Sequence, residues 1–268
     1  MTVNDIVRTC SLFLFDLDGT LYLGDELFPF TAELLRELKK HGKEYRFITN
    51  NSSKNPQDYV EKMARLGLST QPEEFITSGL VTAHFIKDHF PEKRLYVCGT
   101  ASLKAEFAAE GLRLTDSPEE TDAIVLGCDT ELNFKKIDDI CRVLCTREVP
   151  YLATHPDESC PTEYGKMPDC GALARFLYTA IGKMPQIIGK PQPLMAQLAM
   201  KLVGTPKEKT AVIGDRVETD IESGISAGTY TIFVESGAET DAAQKQFGVR
   251  ADVVLPDAGK MIDALQAL

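Results

Sequence analysis

The chain has 268 residues, enough for one large domain or two ordinary ones, and its 43% hydrophobic and 26% charged residues argue against disorder. A formal net charge of −11 argues against nucleic acid or anionic membrane as a partner, and it obliges any anionic substrate to find a strongly positive local site. No run approaches the ~20 apolar residues of a membrane span, and the first apolar run, Leu12 to Phe15, is too short for a signal-peptide core. The seven cysteines (Cys10, Cys98, Cys128, Cys141, Cys145, Cys160, Cys170) are odd in number and lack CxxC pairing. Cys141 and Cys145 stand one helical turn apart, which invites a metal reading, but no second pair follows. Spectator thiols in a reducing cytoplasm are therefore expected.

Strand-like and helix-like segments alternate along the chain. Leu12–Phe15 reads as a strand, and Thr31–Lys40 as an amphipathic helix with Leu34, Leu35 and Leu38 on one face. Tyr45–Ile48 is the next strand. Asn55 is a suitable N-cap and Pro56 a suitable first residue for a helix that runs to Leu66 and stops at Gly67. Further strands are expected at Leu95–Cys98, Ala123–Leu126, Tyr151–Ala153, Ile187–Ile188, Ala211–Ile213, Thr231–Val234 and Asp252–Val254, with helices between them. This alternation predicts an α/β fold of parallel sheet with helices on both faces.

Four of these strands end in polar chemistry: Asp16-Leu17-Asp18-Gly19-Thr20, Thr49-Asn50-Asn51-Ser52, Gly189-Lys190-Pro191, and Gly214-Asp215 with Asp220 five residues on. Taken singly, each has an ordinary reading, since Asp and Gly close turns after strands and a lone lysine is usually solvated. Ligands of parallel sheets bind beyond the carboxyl ends of the strands. If the four strands are neighbours, three carboxylates, a lysine, a threonine and an asparagine meet at one place. Asp16 and Asp18 occupy alternate positions of an extended strand end and can face the same crevice. Carboxylate and carbonyl oxygens suit Mg²⁺, Asp215 adds an oxygen from another strand, and the four histidines (His41, His84, His89, His155) are scattered. The cation, Lys190 and the N–H groups after Thr49 would supply the positive potential that the net charge lacks. This is the furniture of phosphoryl transfer. A P-loop is excluded, because Pro191 follows Gly189-Lys190 where Ser or Thr is needed.

At these residues the sequence resembles the haloacid dehalogenase-like (HAD) hydrolases, in the branch of 4-nitrophenylphosphatases and nucleotide monophosphatases (NagD-like). The resemblance rests on Asp16-Leu17-Asp18-Gly19-Thr20, Ile48-Thr49-Asn50-Asn51-Ser52, Gly189-Lys190-Pro191 and Gly214-Asp215-Arg216-Val217-Glu218-Thr219-Asp220-Ile221, in order, and spans nearly the whole chain. It implies a Mg²⁺-dependent phosphatase of small organic phosphate esters with Asp16 as nucleophile and metal ligand. Asp18 would be the acid that protonates the leaving oxygen, then the base that activates water, and would lend its main-chain carbonyl to the metal. Thr49 and Asn50 would hold the phosphate oxygens, Lys190 would neutralise nucleophile and phosphate, Asp215 would bind Mg²⁺, and Asp220 would orient water on the metal. A homodimer is common in the resembled branch. Among rivals, a dehalogenase does not need Asp18, a P-type-like ATPase would carry Lys where Leu17 stands, and a dead binding protein would have lost Asp16, Lys190 or Asp215.

Spacing locates an insertion. Asn50 to Lys190 leaves 140 positions, far more than one crossover needs. The expected plan is a Rossmann-like catalytic core of residues 1–80 and 185–268 with an inserted cap domain at 81–184, which in the resembled branch is α/β and covers the site. The cap loops Cys128–Thr130 and His155–Cys160 follow strands and are the expected seat of substrate choice. Relatives usually show Asn or Asp where His155 stands, and those that act on pyridoxal phosphate carry aromatic and His residues near Cys128 and Cys160, so their substrate is not transferable. His155 reads as a loop hydrogen-bonder, and Asp157 as either a cap or a substrate contact.

Overall fold

The computed structural model describes residues 1–162, 164–237 and 239–268. The chain forms two compact units: one from Met1–Thr49, Tyr59–Ile76 and Lys190–Leu268, the other from Asn50–Asp58 and Thr77–Gly189. Among the described residues no helix is long and apolar enough to cross a membrane.

The first unit is built on a six-stranded sheet ordered Val253–Leu255, Tyr230–Val234, Thr210–Gly214, Leu12–Phe15, Glu44–Thr49, Phe75–Thr77. Its registered pairs are parallel, with Phe15 level with Ile213 on one side and Phe47 on the other. Read from the Phe75 edge in chain order, the strands run 3-2-1-4-5-6, the doubly wound arrangement whose direction reverses between the first and fourth. Leu12–Phe15 is buried at all four positions, as a central strand covered on both faces must be. Phe13 and Phe15 pack with Tyr45, Phe47 and the leucines of the Thr31–Lys40 helix. Leu12 and Leu14 alternate to the opposite side of the sheet, where the Leu194–Val203 helix lies against the same strand. Each buried phenylalanine contributes about 2–3 kcal/mol by its removal from water.

The helix expected from Asn55-Pro56 spans Pro56–Arg65. Asn55 Oδ1 accepts the Asp58 N–H at 3.1 Å while the Asp58 carboxylate accepts the Asn55 N–H at 2.9 Å, a reciprocal cap.

The expectation of four neighbouring strand ends needs correction. Leu12–Phe15, Glu44–Thr49 and Thr210–Gly214 are neighbours, but the strand before Lys190, Gln186–Ile187, pairs with Tyr151–Ala153 in the other unit. Alternating strands in sequence say nothing about which of two sheets a strand joins. Lys190 reaches the first unit because the chain passes from one unit to the other between Gly189 and Lys190.

The second unit has its own parallel sheet, ordered Gln186–Ile187, Tyr151–Ala153, Ala123–Leu126, Arg94–Cys98, Arg113–Leu114. One face packs against the Phe134–Thr146 and Cys170–Ile181 helices through Ile140, Val143, Leu173 and Leu177. An antiparallel hairpin, Ser159–Thr162 with Gly165–Pro168, extends from it. Helices Ser78–His89 and Ala101–Ala109 pack together, and between them lies Glu106, whose carboxylate accepts the Thr77 hydroxyl at 2.8 Å. Burial pushes this carboxyl up to about 7. A folded value above the unfolded one means no penalty below about pH 4.5, a growing penalty towards pH 7, and a constant one beyond. That penalty is about 3 kcal/mol. Glu106→Gln, which keeps an acceptor for Thr77, is therefore expected to raise the melting temperature at pH 8 by several degrees and to change it little at pH 4.5. Equal shifts at both pH values in thermal melts would refute this account.

Candidate active site

The sheet reverses direction between Leu12–Phe15 and Thr210–Gly214, and the residues that follow these strands are the ones singled out in the sequence. The Asp16 N–H donates to Ile213 O at 2.8 Å, continuing the ladder one step past Phe15, so Asp16 stands level with Gly214 and Asp215 follows directly. The Val217–Ile221 turn, a wide π-type coil, then brings Asp220 back. Oxygens of Asp16, Asp215 and Asp220 all lie within 4.8 Å of one another. Lys190 is 2% exposed, and its ammonium sits 2.5 Å from Asp16 Oδ1, 2.6 Å from Asp220 Oδ1 and 3.2 Å from Ile48 O. The Asp220 carboxylate also accepts the Arg216 N–H at 3.1 Å. Thr49, buried, is the residue after Ile48, at the end of the next strand. Asp18 is partly buried in the turn after Asp16, bridged to Tyr22, with the Gly19 N–H donating to Tyr22 O at 2.7 Å.

Two glycines shape the place of Asp215. Gly19 has φ +86°, a conformation side chains rarely adopt, and a Cβ there would lie 2.4 Å from Asp215 Oδ2. A Cβ on Gly237 would lie 1.8 Å from the same oxygen. Ser236 beside it donates to Gly19 O at 2.7 Å. The Ser236-Gly237 contribution was missed from sequence, although a fifth strand end, after Tyr230–Val234, would have pointed to it.

The charges do not balance on their own. Burial raises the Asp16 carboxyl well above the usual range; Lys190 pulls it down, and Asp220 and Asp215 push it up again. For Lys190, burial works against the ammonium, but Asp16 and Asp220 outweigh it and keep it charged. Three buried carboxylates against one ammonium leave a surplus of about two negative charges, and the oxygens are hard donors. These residues fit a small divalent cation with oxygen preference, which would offset the burial and the repulsion that lift Asp16. Among the described residues this is the sole carboxylate, histidine or cysteine cluster with such geometry, and Cys141 and Cys145 form no part of it.

Asn50 belongs to the second unit, where Nδ2 donates to the Asp157 carboxylate at 3.3 and 3.4 Å. Ser78 Oγ donates to Asn50 O at 2.5 Å. Ser52, fully buried, accepts the Cys128 N–H at 2.9 Å and pairs with the Thr154 hydroxyl at 2.9 Å. The loop that starts at Asn50 is thus docked onto the strand ends at Cys128 and Thr154. Of the two readings of Asp157, the structure gives it an internal partner, Asn50. His155 is buried beside it, and Cys160 lies on the hairpin strand opposite Met167.

A profile of haloacid dehalogenase-like hydrolases matches residues 13–113, and a HAD-hydrolase-like profile matches residues 187–261. An acid sugar phosphatase of Staphylococcus haemolyticus is 33% identical over 228 residues, covering 85% of this chain and 86% of its own. The crystal structure of a 4-nitrophenylphosphatase from Thermotoga maritima superposes with a TM-score of 0.92 at 35% identity, over 97% of this chain and 99% of that one. A glycerol phosphate phosphatase from Mycobacterium tuberculosis, solved in complex with magnesium, has a TM-score of 0.88 at 27% identity, over 97% of this chain and 78% of that one. With a relative of this identity along most of its length, a shared doubly wound fold and Asp16, Lys190 and Asp215 gathered where the sheet reverses, the chain belongs to the haloacid dehalogenase-like hydrolases, in their 4-nitrophenylphosphatase (NagD-like) branch.

Proposed function

We propose that this phosphatase hydrolyses small organic phosphate monoesters through a phospho-aspartate at Asp16, with Mg²⁺ as its cofactor. The observation that carries the reading is the contact of the Lys190 ammonium with Asp16 and Asp220 beside Asp215. A carboxylate held against an ammonium keeps its lone pairs for attack, and the same ammonium is poised to offset the charge of an arriving phosphate. An Asp16 oxygen attacks phosphorus while the ester P–O bond breaks, and the leaving oxygen takes the proton carried by Asp18. Asp18, now a carboxylate, accepts a proton from the water that attacks the phospho-aspartate. Phosphate departs, Asp16 returns as carboxylate and Asp18 as acid. Protonating the leaving oxygen is worth about 10²–10⁴-fold. Thr49 and Asn50 hold the phosphate oxygens.

Asp16, the Asp18 main-chain carbonyl and Asp215 would hold Mg²⁺, which supplies positive charge against the phosphate oxygens. Asp220, committed to Lys190 and the Arg216 N–H, would orient water rather than bind directly. The unit that holds Asp16, Lys190 and Asp215, near the expected 1–80 and 185–268 but without Asn50–Asp58 and the Gln186–Ile187 strand, acts as the catalytic core, and the other, near the expected 81–184, as the cap that sets substrate choice. The name of the staphylococcal relatives makes sugar phosphates the first esters to try, and seven free thiols suit a reducing cytoplasm.

The test is metal removal. Hydrolysis of 4-nitrophenyl phosphate is expected to fall to background in EDTA and to return with added Mg²⁺. Full activity after metal removal verified by elemental analysis would overturn the assignment.

A further inference from the structure

His155 is 0% exposed and carries no part of the chemistry above. Its two ring nitrogens face two different carboxylates: Nδ1 lies 3.5 Å from Asp157 Oδ2, and Nε2 lies 3.4 Å from Asp169 Oδ1. A neutral imidazole has one N–H and one lone pair, so one nitrogen would aim its lone pair at an anionic oxygen. Both contacts are favourable if both nitrogens carry protons.

Both carboxylates also accept hydrogen bonds from other donors. Asp169 is the N-cap of the Cys170–Ile181 helix, where Oδ1 accepts the Cys170 N–H at 2.7 Å and the helix dipole favours negative charge. Asp157 accepts from Asn50 Nδ2. Other titratable groups stand close in the chain: Glu158 pairs with Arg175 of the Cys170–Ile181 helix, and two thiols lie near Asp169. Burial first, then Asp169, pushes the Cys128 thiol up, and Cys160 lies close to it. Burial pushes Cys170 up to about 12. Burial alone favours neutral imidazole, whereas two carboxylates on opposite edges of the ring favour the protonated one.

The geometry points to His155 as a buried imidazolium that bridges Asp157 and Asp169, and to a role as the positioning residue that holds Asp157 as acceptor for Asn50. The positioning half rests on the reading of Asn50 as a phosphate contact. Through this chain, Asp169 on its helix, His155, Asp157 and Asn50 become one rigid line, so the amide reaches phosphate already oriented. Loss of the partner behind a metal ligand costs about 10–100-fold, and an effect at the lower end of that range is expected here.

The charge is tested without reference to activity. In the whole chain labelled with ¹⁵N on histidine, imidazolium gives two ring nitrogens of similar shift, and a neutral tautomer gives two well-separated ones. Four histidines are present, and His155→Asn assigns the fourth by subtraction. His155 is expected to show the cationic pattern at pH 7.5, about one unit above the ordinary value of ~6.5, and Asp157→Asn is expected to return it to the neutral pattern. A neutral pattern in the native chain at pH 7.5 would overturn the proposal.

The positioning half is tested by kinetics on 4-nitrophenyl phosphate. His155→Asn and His155→Gln, checked for folding by thermal melt, are expected to raise KM about tenfold and to change kcat by less than about threefold. An unchanged KM in both variants, with Asn50→Ala raising it, would refute the positioning role. An unchanged KM in Asn50→Ala would instead refute the phosphate role of Asn50, and positioning with it, while the spectrum decides the charge independently.

Discussion

Asp16→Asn is expected to lower turnover of 4-nitrophenyl phosphate by about 10⁴-fold or more while the protein stays folded. Asparagine keeps the shape of the side chain but cannot attack phosphorus or balance the ammonium of Lys190. The ammonium is not stranded by the change, because Asp220 Oδ1 remains 2.6 Å away. Stability in EDTA should hold or rise, since burial and the repulsion of Asp220 and Asp215 weigh against the Asp16 carboxylate, and its contact with Lys190 offsets them only in part. The pattern to look for is therefore lost catalysis with an unchanged or higher melting temperature. Asp16→Ala guards against slow deamidation of asparagine back to aspartate, and it should be equally inactive. A rate within tenfold of the native chain for both variants would place the nucleophile elsewhere.

The fold and the Asp16 site were legible in the sequence to different depths. Ala123–Leu126 and Thr31–Lys40 are found at the expected residues, because a short apolar run between turn signals and a helical stripe of leucines have few alternatives. Phe75–Thr77 was missed: three residues on a sheet edge carry too little periodicity to separate from a loop. So were the paired Tyr22–Leu23 and Glu26–Leu27, which have two residues each. The meeting of Asp16, Asp215, Asp220 and Lys190 was anticipated, although one of the strands invoked to explain it lies in the other sheet. Local motifs carry their chemistry, whereas sheet membership depends on pairing across long separations. The same limit hid the surroundings of His155, since Asp169 reaches it from the far side of a hairpin whose register no local pattern announces.

Lys190→Met is expected to cost about 10²–10³-fold in kcat/KM or more, and also stability, in a manner that depends on metal. Methionine keeps an apolar stem of similar length, so packing loss is small and the change isolates the charge. The ammonium touches Asp16, Asp220 and Ile48 O, and without it Asp16 and Asp220 lose that cation while an oxygen of Asp215 still lies within 4.8 Å of theirs. Removing one partner of a buried pair typically costs about 3–5 kcal/mol, chiefly because the other charge is left uncompensated. A divalent cation can compensate it in part. The melting temperature of the variant should therefore fall well below that of the native chain in EDTA and recover part of the gap in millimolar Mg²⁺. A role for Lys190 confined to phosphate binding would leave the melting temperature in EDTA unchanged, so that result would sever the link between the ammonium and the surplus of carboxylates. A deficit equal in EDTA and in Mg²⁺ would mean that the metal does not sit beside Asp16 and Asp215. Measuring rate and melting on one variant thus separates the two duties given to Lys190, charge balance in the resting site and attraction of the phosphate.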